Sequence, residues 1–367
     1  MVEFDGFGPE MIVEAYNPKT GMRGFTVIDN TSLGPAKGGI RMTPTVSIDE
    51  VARLARAMTW KCSLADLPFG GGKSGIVADP RTMSQKQKDE IIAAFAEAIK
   101  PICPSKYVAA PDINTAEHEM GIFAKANGSM KSTTGKPSSM GGIPHELGST
   151  GFGVFHATKV ALDHLGKGMR STTFAVEGFG NVGMFAAKFL TEAGATLVAT
   201  SDSKGTIYNE KGINYKKLEA VKKKEGSVTK YPGKVLSNHD ILSVKADVLI
   251  TAALPDLIQA GDVDHIKAKL IVEGSNIPTT PDVEDLFHRK KILVVPDFVA
   301  NAGGVISSYV EYIGKRKEYM FRMVEDKIVK NTRLVLDQAA KKGIKPRDAA
   351  VAIAQERVLK ECKTCKI

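Results

Sequence analysis

A glycine-rich turn between an apolar strand and a helix limits the fold that this chain can adopt more than any other part of its sequence. Residues 173–177 are mostly apolar and predict a strand, and Gly178-Phe179-Gly180-Asn181-Val182-Gly183 follows directly. A second predicted strand, 196–200, leads to Asp202, 24 residues after Gly178. A strand, a GxGxxG turn, a helix and an acidic residue about 20 positions further on are typical of a Rossmann-type dinucleotide-binding unit.

Each glycine of this motif has a physical role. Gly178 allows the tight turn, Gly180 lets the backbone approach a pyrophosphate, and Gly183 permits close packing of the helix on the strand. The N–H groups at the helix N-terminus would bind the phosphates. Asp202 would accept hydrogen bonds from the ribose hydroxyls, which favours NAD, whereas the pair Ser203-Lys204 could hold the 2′-phosphate of NADP. The sequence therefore predicts a dinucleotide site and leaves NAD or NADP open.

Strands and helices continue to alternate after this motif. Three further strands are predicted, at 247–252, 270–272 and 292–295. This alternation predicts an α/β fold with a doubly wound, mostly parallel sheet and helices on both faces. The Gly-, Pro- and Ser-rich residues 128–148 mark a boundary. We therefore predict a substrate-binding and oligomerisation domain over 1–145 and a dinucleotide-binding domain over 146–310, followed by helices.

The composition excludes several classes of protein. Hydrophobic residues make up 43% of the 367 residues, so the chain can bury a core and is not disordered. The net charge of +9 is spread along the chain and only 7% of the residues are aromatic, so a basic nucleic-acid-binding protein is only a remote alternative. No apolar run reaches the length of a membrane span. We interpret Cys362 and Cys365 as incidental, and we expect no metal site and a reduced, cytoplasmic location.

Three lysines lie beside glycines or at the end of an apolar helix. Lys37 is in the segment 34–41, Lys73 follows three glycines, and Lys61 ends a helix that begins after Ser47. We place Lys37 and Lys73 in glycine-rich loops. A lysine among glycines and apolar residues can lose its hydration, and a second cation nearby lowers its pKa further. Such a lysine can act as a general base near neutral pH, while the others would bind anionic groups.

The segment 67–74 also comes close to a phosphate-binding P-loop. That motif needs Gly where this chain has Leu67, and it needs a strand before the loop. Here a helix precedes it, because Ser47 and Glu50 have the spacing of a capping box. We therefore reject a P-loop site.

Together these motifs resemble the glutamate/leucine/phenylalanine/valine dehydrogenase family. The match covers residues 20–312 and runs, in order, through 34–41, 58–61, 67–73, 110–112, 178–183, 273–280 and 301–305. The resemblance implies oxidative deamination of an L-amino acid to a 2-oxo acid and ammonia, with NAD or NADP as cofactor. It also implies terminal helices 311–367 packed back on the first domain, an active site in the cleft between the domains, and a homo-oligomer, either a hexamer or an octamer.

The resemblance further implies roles for individual residues. Lys73 resembles the catalytic lysine that activates water for attack on the imino acid, and Asp112 resembles the acid/base that moves protons to and from the amine. Lys61 resembles the ligand of the α-carboxylate. The other implied substrate-binding positions are Lys37, Gly39 and Ser308. The implied cofactor-binding positions are Gly178, Phe179, Gly180, Asn181, Val182, Gly183, Asp202, Ser203, Asn276 and Asn301.

Lys37 and Ser308 indicate which amino acid is bound. Family members that act on glutamate carry lysine and serine at these positions, on the side-chain carboxylate, whereas members that act on leucine or valine carry apolar residues. A buried lysine without an anion would be costly. We therefore expect L-glutamate as the substrate, with the same chemistry on leucine, valine or phenylalanine as the alternative. His145 is expected to lie at the surface or to serve packing, with a substrate contact as its alternative role.

Overall fold

The computed structural model of the chain describes residues 2–144 and 147–366, so His145 lies outside the described residues. The chain forms two compact units. The first comprises Met1–Leu147, Val305–Met320 and Ile353–Ile367, and the second comprises Gly148–Gly304 and Phe321–Ala352. The breaks near 147 and 304 lie close to the boundaries that the sequence suggested. Residues 321–352 differ: they group with the second unit, not with the first as expected.

The strands and helices are numbered in chain order. The strands are β1 Met11–Asn17, β2 Met22–Asn30, β3 Ala36–Thr43, β4 Gly70–Val77, β5 Tyr107–Pro111, β6 Thr173–Glu177, β7 Thr196–Asp202, β8 Gly205–Tyr208, β9 Lys234–Leu236, β10 Val248–Thr251, β11 Leu270–Glu273 and β12 Leu293–Val295. The helices are α1 Ile48–Leu64, α2 Gln85–Ala98, α3 Glu117–Asn127, α4 Ser149–His164, α5 Asn181–Glu192, α6 Tyr215–Glu225, α7 Pro281–Arg289, α8 Asp297–Ala300, α9 Gly303–Tyr312, α10 Lys317–Lys342 and α11 Pro346–Glu361.

The first unit contains a five-stranded mixed sheet in the order β1-β2-β4-β3-β5. Strand β3 runs parallel to both β4 and β5, while β1 and β4 are antiparallel to β2. Helix α1 begins after Ser47, whose hydroxyl accepts from the backbone N–H of Glu50. Its buried face, including Val51 and Ala55, packs on the sheet. This start agrees with the one that the sequence predicted.

The second unit contains a seven-stranded sheet in the order β12-β11-β10-β6-β7-β8-β9. The strands from β12 to β7 are parallel, and β8 and β9 are antiparallel to their neighbours. The parallel strands are buried and apolar, as expected for a sheet covered on both faces. This architecture confirms the predicted doubly wound fold.

Two expectations about local structure are wrong. Lys37 and Lys73 lie within the sheet strands β3 and β4, not in loops. Their neighbouring glycines serve packing: a Cβ on Gly38 would lie 1.7 Å from the carbonyl oxygen of Gly72. Cys362 and Cys365, which we interpreted as incidental, form a disulfide just after α11, because the chain turns there and brings their Cα atoms within 5.6 Å.

No helix among the described residues is both long enough and apolar enough to span a lipid bilayer.

Candidate active site

Strands β3, β4 and β5 place the predicted catalytic residues side by side in the first unit. The register pairs Lys37 with Gly71 and Gly39 with Ala110. A Cβ on Gly39 would lie 2.7 Å from the Cβ of Asp112, so only glycine lets Asp112 approach this strand. The glycines that we expected to form loops therefore bring two strands and a loop close enough for their polar groups to meet.

Lys73 and Asp112 form a partly buried ion pair. The Nζ atom of Lys73 lies 2.9 Å from Asp112 Oδ2, and Arg41 Nε donates to the same oxygen at 3.0 Å. Burial lowers the pKa of Lys73, and the Asp112 carboxylate opposes this only in part. Burial alone would raise the pKa of Asp112, but the charges and hydrogen bonds of Lys73 and Arg41 outweigh it and hold the pKa low. At neutral pH Asp112 is therefore an ionised proton acceptor beside a lysine that releases its proton readily.

Arg41 is not among the site residues that the sequence predicts. Its guanidinium joins Asp112 to Glu50, whose Oε1 it reaches from Nη1 at 2.5 Å. Arg41 lies two residues after Gly39 on β3, so its side chain points to the same face of the strand. This spacing of two residues along a strand is the sequence pattern that could have placed Arg41 beside Asp112.

Lys37 is buried to 1% exposure without a carboxylate partner among the described residues. Its Nζ atom donates to the carbonyl oxygen of Ala109 at 2.7 Å. Burial lowers the pKa of Lys37 to about 7, and the charges of Glu311 and Lys136 act on it with opposite signs. A buried cation whose one hydrogen bond goes to a neutral carbonyl is suited to bind an anion.

The remaining predicted substrate residues lie on two helices of the same unit. Lys61 is half-buried in the last turn of α1, and α1 contacts β4 directly where Thr59 meets Gly71. Ser308 is half-buried on α9. Helix α9 is held to the unit by Tyr309 and Tyr312, whose rings pack edge-on against Phe69, just before β4.

Glu311, one helical turn after Ser308, organises the loop ahead of residue 144. Its carboxylate accepts from the backbone N–H groups of Gly135 and Ile143, each at 3.0 Å, and from Lys136 Nζ at 2.6 Å. Glu311 and Lys136 are both buried. The sequence does not predict this pair, because its two members are 175 residues apart and no local pattern connects them.

The glycine motif of the second unit has the geometry that its predicted roles require. Gly178 has a φ of +88°, in the region that favours glycine, and a Cβ on Gly183 would lie 1.8 Å from the Gly178 carbonyl oxygen. By contrast, no atom lies within 4 Å of the Cβ position of Gly180, at the N-cap of α5. Packing explains Gly178 and Gly183, whereas the open space at Gly180 beside a helix N-terminus fits an approaching phosphate.

Asp202 lies at the end of β7 as predicted, but its carboxylate is already occupied. Oδ1 accepts from Lys204 N and Ser227 Oγ, and Oδ2 accepts from Lys222 Nζ at 2.7 Å and Val228 N at 2.8 Å. A carboxylate has about four acceptor positions, and all four are used here. The predicted bond to a ribose hydroxyl stays a prediction, and it would require one of these bonds to be exchanged. Ser203, next in the chain, is exposed.

Asn276 and Asn301 lie together in the second unit. Asn301 Nδ2 donates to Asn276 Oδ1 at 3.0 Å and to the carbonyl oxygen of Ser275 at 3.3 Å. Asn276 is exposed, whereas Asn301 is buried at the end of α8. Phe179 is buried within the glycine motif, and Val182 is half-buried. The structure thus gathers each predicted set within one unit, the substrate set in the first and the cofactor set in the second.

No group of three or more His, Cys, Asp or Glu side chains suited to hold a metal ion is found in 2–144 and 147–366.

Sequence comparison connects these sites to known proteins. The model of the Glutamate/Leucine/Phenylalanine/Valine dehydrogenase family matches residues 141–364, and the model of the Glu/Leu/Phe/Val dehydrogenase dimerisation domain matches residues 9–128. The chain belongs to this family. The resemblance inferred from its motifs is therefore confirmed, and the chain is an amino-acid dehydrogenase of the NAD- or NADP-dependent kind.

Individual members of the family resemble the chain over most of its length. A glutamate dehydrogenase of Aeropyrum pernix is 40% identical over 353 residues, which cover 91% of this chain and 84% of that protein. An NADP-specific glutamate dehydrogenase of Saccharolobus shibatae is 38% identical over a region that covers 91% of this chain and 83% of that protein. Among solved structures, hetero-hexameric glutamate dehydrogenase of Thermus thermophilus in a leucine-bound form has a TM-score of 0.86 at 26% identity, covering 98% of this chain and 90% of that one.

Proposed function

We propose that this protein catalyses the reversible oxidative deamination of L-glutamate to 2-oxoglutarate and ammonia with NAD or NADP. The observation that carries the choice of glutamate is Lys37, a buried cation that bonds only a neutral carbonyl among the described residues. The side-chain carboxylate of glutamate would supply its missing anion, with Ser308 as a second donor. The names of the relatives, glutamate dehydrogenases at 38–40% identity, support the same choice.

In this proposal the other two lysines and Asp112 act on the amino-acid end. Lys61 binds the α-carboxylate. Asp112 is ionised, so it can take a proton from the substrate ammonium group. Burial lowers the pKa of Lys73, so its neutral amine can take a proton from the water that attacks the imino acid. Asp112, 2.9 Å from Lys73, then returns its proton to the nitrogen of the adduct. Collapse of the adduct releases ammonia and the 2-oxo acid.

The second unit would hold the dinucleotide. The backbone at Gly180 and the first turn of α5 would bind the pyrophosphate, and Asn276 and Asn301 would contact the nicotinamide half. When bound, the nicotinamide accepts a hydride from the substrate α-carbon. Lys222 already neutralises Asp202 at 2.7 Å, so this end of the site does not repel a 2′-phosphate as a free carboxylate would. We therefore expect NADP to be accepted, with Ser203 beside its phosphate.

A panel of L-amino acids, tested with NAD and NADP by the absorbance of the reduced cofactor, examines this proposal. We expect glutamate to be the best substrate and Lys73→Ala to abolish turnover while the far-UV spectrum stays unchanged. Lys37→Leu should lose glutamate activity far more than leucine activity. Retained turnover in Lys73→Ala would contradict the catalytic assignment, and equal loss of both substrates in Lys37→Leu would contradict the pocket. Preference of the wild type for leucine, valine or phenylalanine would favour the alternative substrates.

We also propose that the protein is a homo-oligomer, a hexamer or an octamer. The first unit contains the region that matches a dimerisation domain, and a similar solved structure is described as hetero-hexameric, which supports an assembly of several chains. Light scattering coupled to size exclusion would measure the mass directly, against 39.4 kDa for one chain. A mass of one chain at micromolar concentration would contradict this. The cytoplasmic location stays a prediction.

A further inference from the structure

The second unit contains a buried ionic cluster to which the proposed function assigns no role. Arg347, near the start of α11, donates to three carboxylates: Nη2 to Glu273 Oε2 at 2.8 Å, Nη1 to Asp297 Oδ1 at 3.0 Å, and Nε to Glu284 Oε1. The three carboxylate side chains are at most 9% exposed. We call these four residues the Arg347 cluster.

The carboxylates of the Arg347 cluster lie at one edge of the parallel sheet. Glu273 is the last residue of β11, Asp297 follows two residues after β12, and Glu284 is in α7, which begins after the loop that leaves β11. In doubly wound sheets, ligands bind beyond the carboxyl ends of the strands. Arg347 thus joins three elements along the edge where a dinucleotide is expected.

The cluster also holds the loop 274–279, which carries Asn276. On one side of Asn276, the backbone N–H of Ile277 donates to Asp297 Oδ2 at 3.0 Å. Further on, Thr279 Oγ1 donates to Glu273 Oε1 at 2.8 Å. Both acceptors use their other oxygen to bind Arg347. The loop is therefore attached to two carboxylates that the same guanidinium orients.

Charge explains why the guanidinium is needed. Burial raises the pKa of Glu273 to about 8; Arg347 opposes this, and the nearby charges of Asp297 and Glu284 add to it. Arg347 is thus the cation that the three buried acidic side chains share. Without the guanidinium, buried carboxylates would face one another unpaired, which is strongly unfavourable, so they would separate or rotate toward water. Either movement breaks the two attachments of the loop.

We propose that Arg347 is a positioning residue for the dinucleotide site, acting through Asp297 and Glu273 to hold the loop 274–279 and its Asn276 in the geometry that binds the nicotinamide half. The proposal rests on the proposed function, from which it takes the role of Asn276. Arg347 lies 42 residues beyond the last motif that indicated the family, and it acts only through other side chains.

The test compares Arg347→Met with Arg333→Met, which removes an exposed arginine of α10 in the same unit. Dissociation constants for NADH and NADPH are measured by nicotinamide fluorescence without amino acid, and amide hydrogen exchange is followed by mass spectrometry. In Arg347→Met we expect at least tenfold weaker dinucleotide binding, the same factor in KM for the cofactor, and KM for glutamate within about twofold of wild type. Exchange should rise in peptides covering 274–279 and stay unchanged in those covering 178–183. Arg333→Met should match wild type throughout.

A folded Arg347→Met that binds the dinucleotide and exchanges over 274–279 like wild type would overturn the proposal. Thr279→Val removes one attachment without disturbing Arg347 and covers the case in which Arg347→Met does not fold. It should weaken dinucleotide binding severalfold and raise exchange in the same peptide, and wild-type values for both would again overturn the proposal. If the wild type bound no dinucleotide, the proposed function would fail, whereas the exchange data would still decide whether Arg347 orders the loop.

Discussion

The burial of Lys37 makes a quantitative prediction about stability. Burial lowers the pKa of Lys37 to about 7 from the ordinary value of 10.5. The unfolded chain therefore holds this proton more tightly than the folded protein does. By linkage, this difference between the unfolded and folded pKa of Lys37 makes the folded protein less stable by about 4 kcal/mol at pH 7. We expect the protein to tolerate this loss because Lys37 is needed for the substrate.

Lys37→Met removes the charge while keeping a side chain of similar length. Ala109 loses one hydrogen bond, but its carbonyl oxygen still accepts from Thr134 N at 3.0 Å, so no buried polar group is left unpaired. We therefore expect the variant to be more stable than wild type by up to about 4 kcal/mol at pH 7. For domains of 150–250 residues this corresponds to a rise in Tm on the order of 10 °C.

The pH dependence gives the sharper test. Between about pH 7 and pH 10.5 the unfolded chain binds the Lys37 proton and the folded protein does not, so the stability of the wild type rises with pH through this window. The variant has no such proton. The gain in stability of Lys37→Met over wild type should therefore be fully present below pH 7 and should shrink to less than about 1 kcal/mol at pH 10.5.

Urea unfolding at equal protein concentration, at pH 7 and at pH 10, measures both quantities. Lys100→Met, at an exposed position of the same unit, is the matched control and should change stability by less than about 0.5 kcal/mol at either pH. A Lys37→Met variant less stable than wild type at pH 7 would show that burial of the Lys37 charge does not destabilise the folded protein. So would a gain that is equal at the two pH values, because it would show that the charge of Lys37 is not its cause.

Three further predictions follow from the same unit. Lys37 must be charged to bind the side-chain carboxylate of glutamate, so kcat/KM for glutamate, divided by kcat/KM for norvaline, should fall as the pH rises above about 7. A ratio that does not change with pH would exclude Lys37 as the ligand of that carboxylate. Arg41→Met removes one of the two cations on Asp112, so the acidic limb of the pH–rate profile should move to higher pH, and an unmoved limb would count against Asp112 as the titrating base. Glu311→Gln leaves buried Lys136 without its carboxylate partner and should lower the free energy of unfolding by about 3 kcal/mol, and adding Lys136→Met should restore more than half of that loss. Urea denaturation of the two single variants and the double variant measures this, and additive losses would show that the two side chains do not interact.

Much of the fold could be predicted because its signals are local. The start of α1 depends on Ser47 and Glu50, three residues apart, and the turn at Gly178 depends on a backbone conformation that glycine adopts readily. Alternation of apolar strands with helical patterns determines a parallel sheet, because each crossover must return the chain to the same edge. These features require no knowledge of distant contacts.

The glycines around Lys37 and Lys73 show where local signals mislead. Glycine is frequent in turns, so the sequence predicted loops, but the same absence of a Cβ also permits close approach of two strands. Only the pairing of β3 with β4 distinguishes the two uses, since it brings Gly38 against the Gly72 carbonyl. The disulfide at Cys362 and Cys365 likewise depends on how the chain turns after α11.

The class of fold, the glycine motif and the family can be predicted from the sequence, and the family in turn identifies Lys73, Asp112 and Lys37 as candidates. Their charge states depend on tertiary contacts. The pKa of a lysine depends on its burial and its partners, and these come from residues 39 or 72 positions away, on strands that the sheet places side by side. For the same reason Arg347 gives no signal in the sequence: its three carboxylates meet only where β11 and β12 end and where α7, α8 and α11 begin.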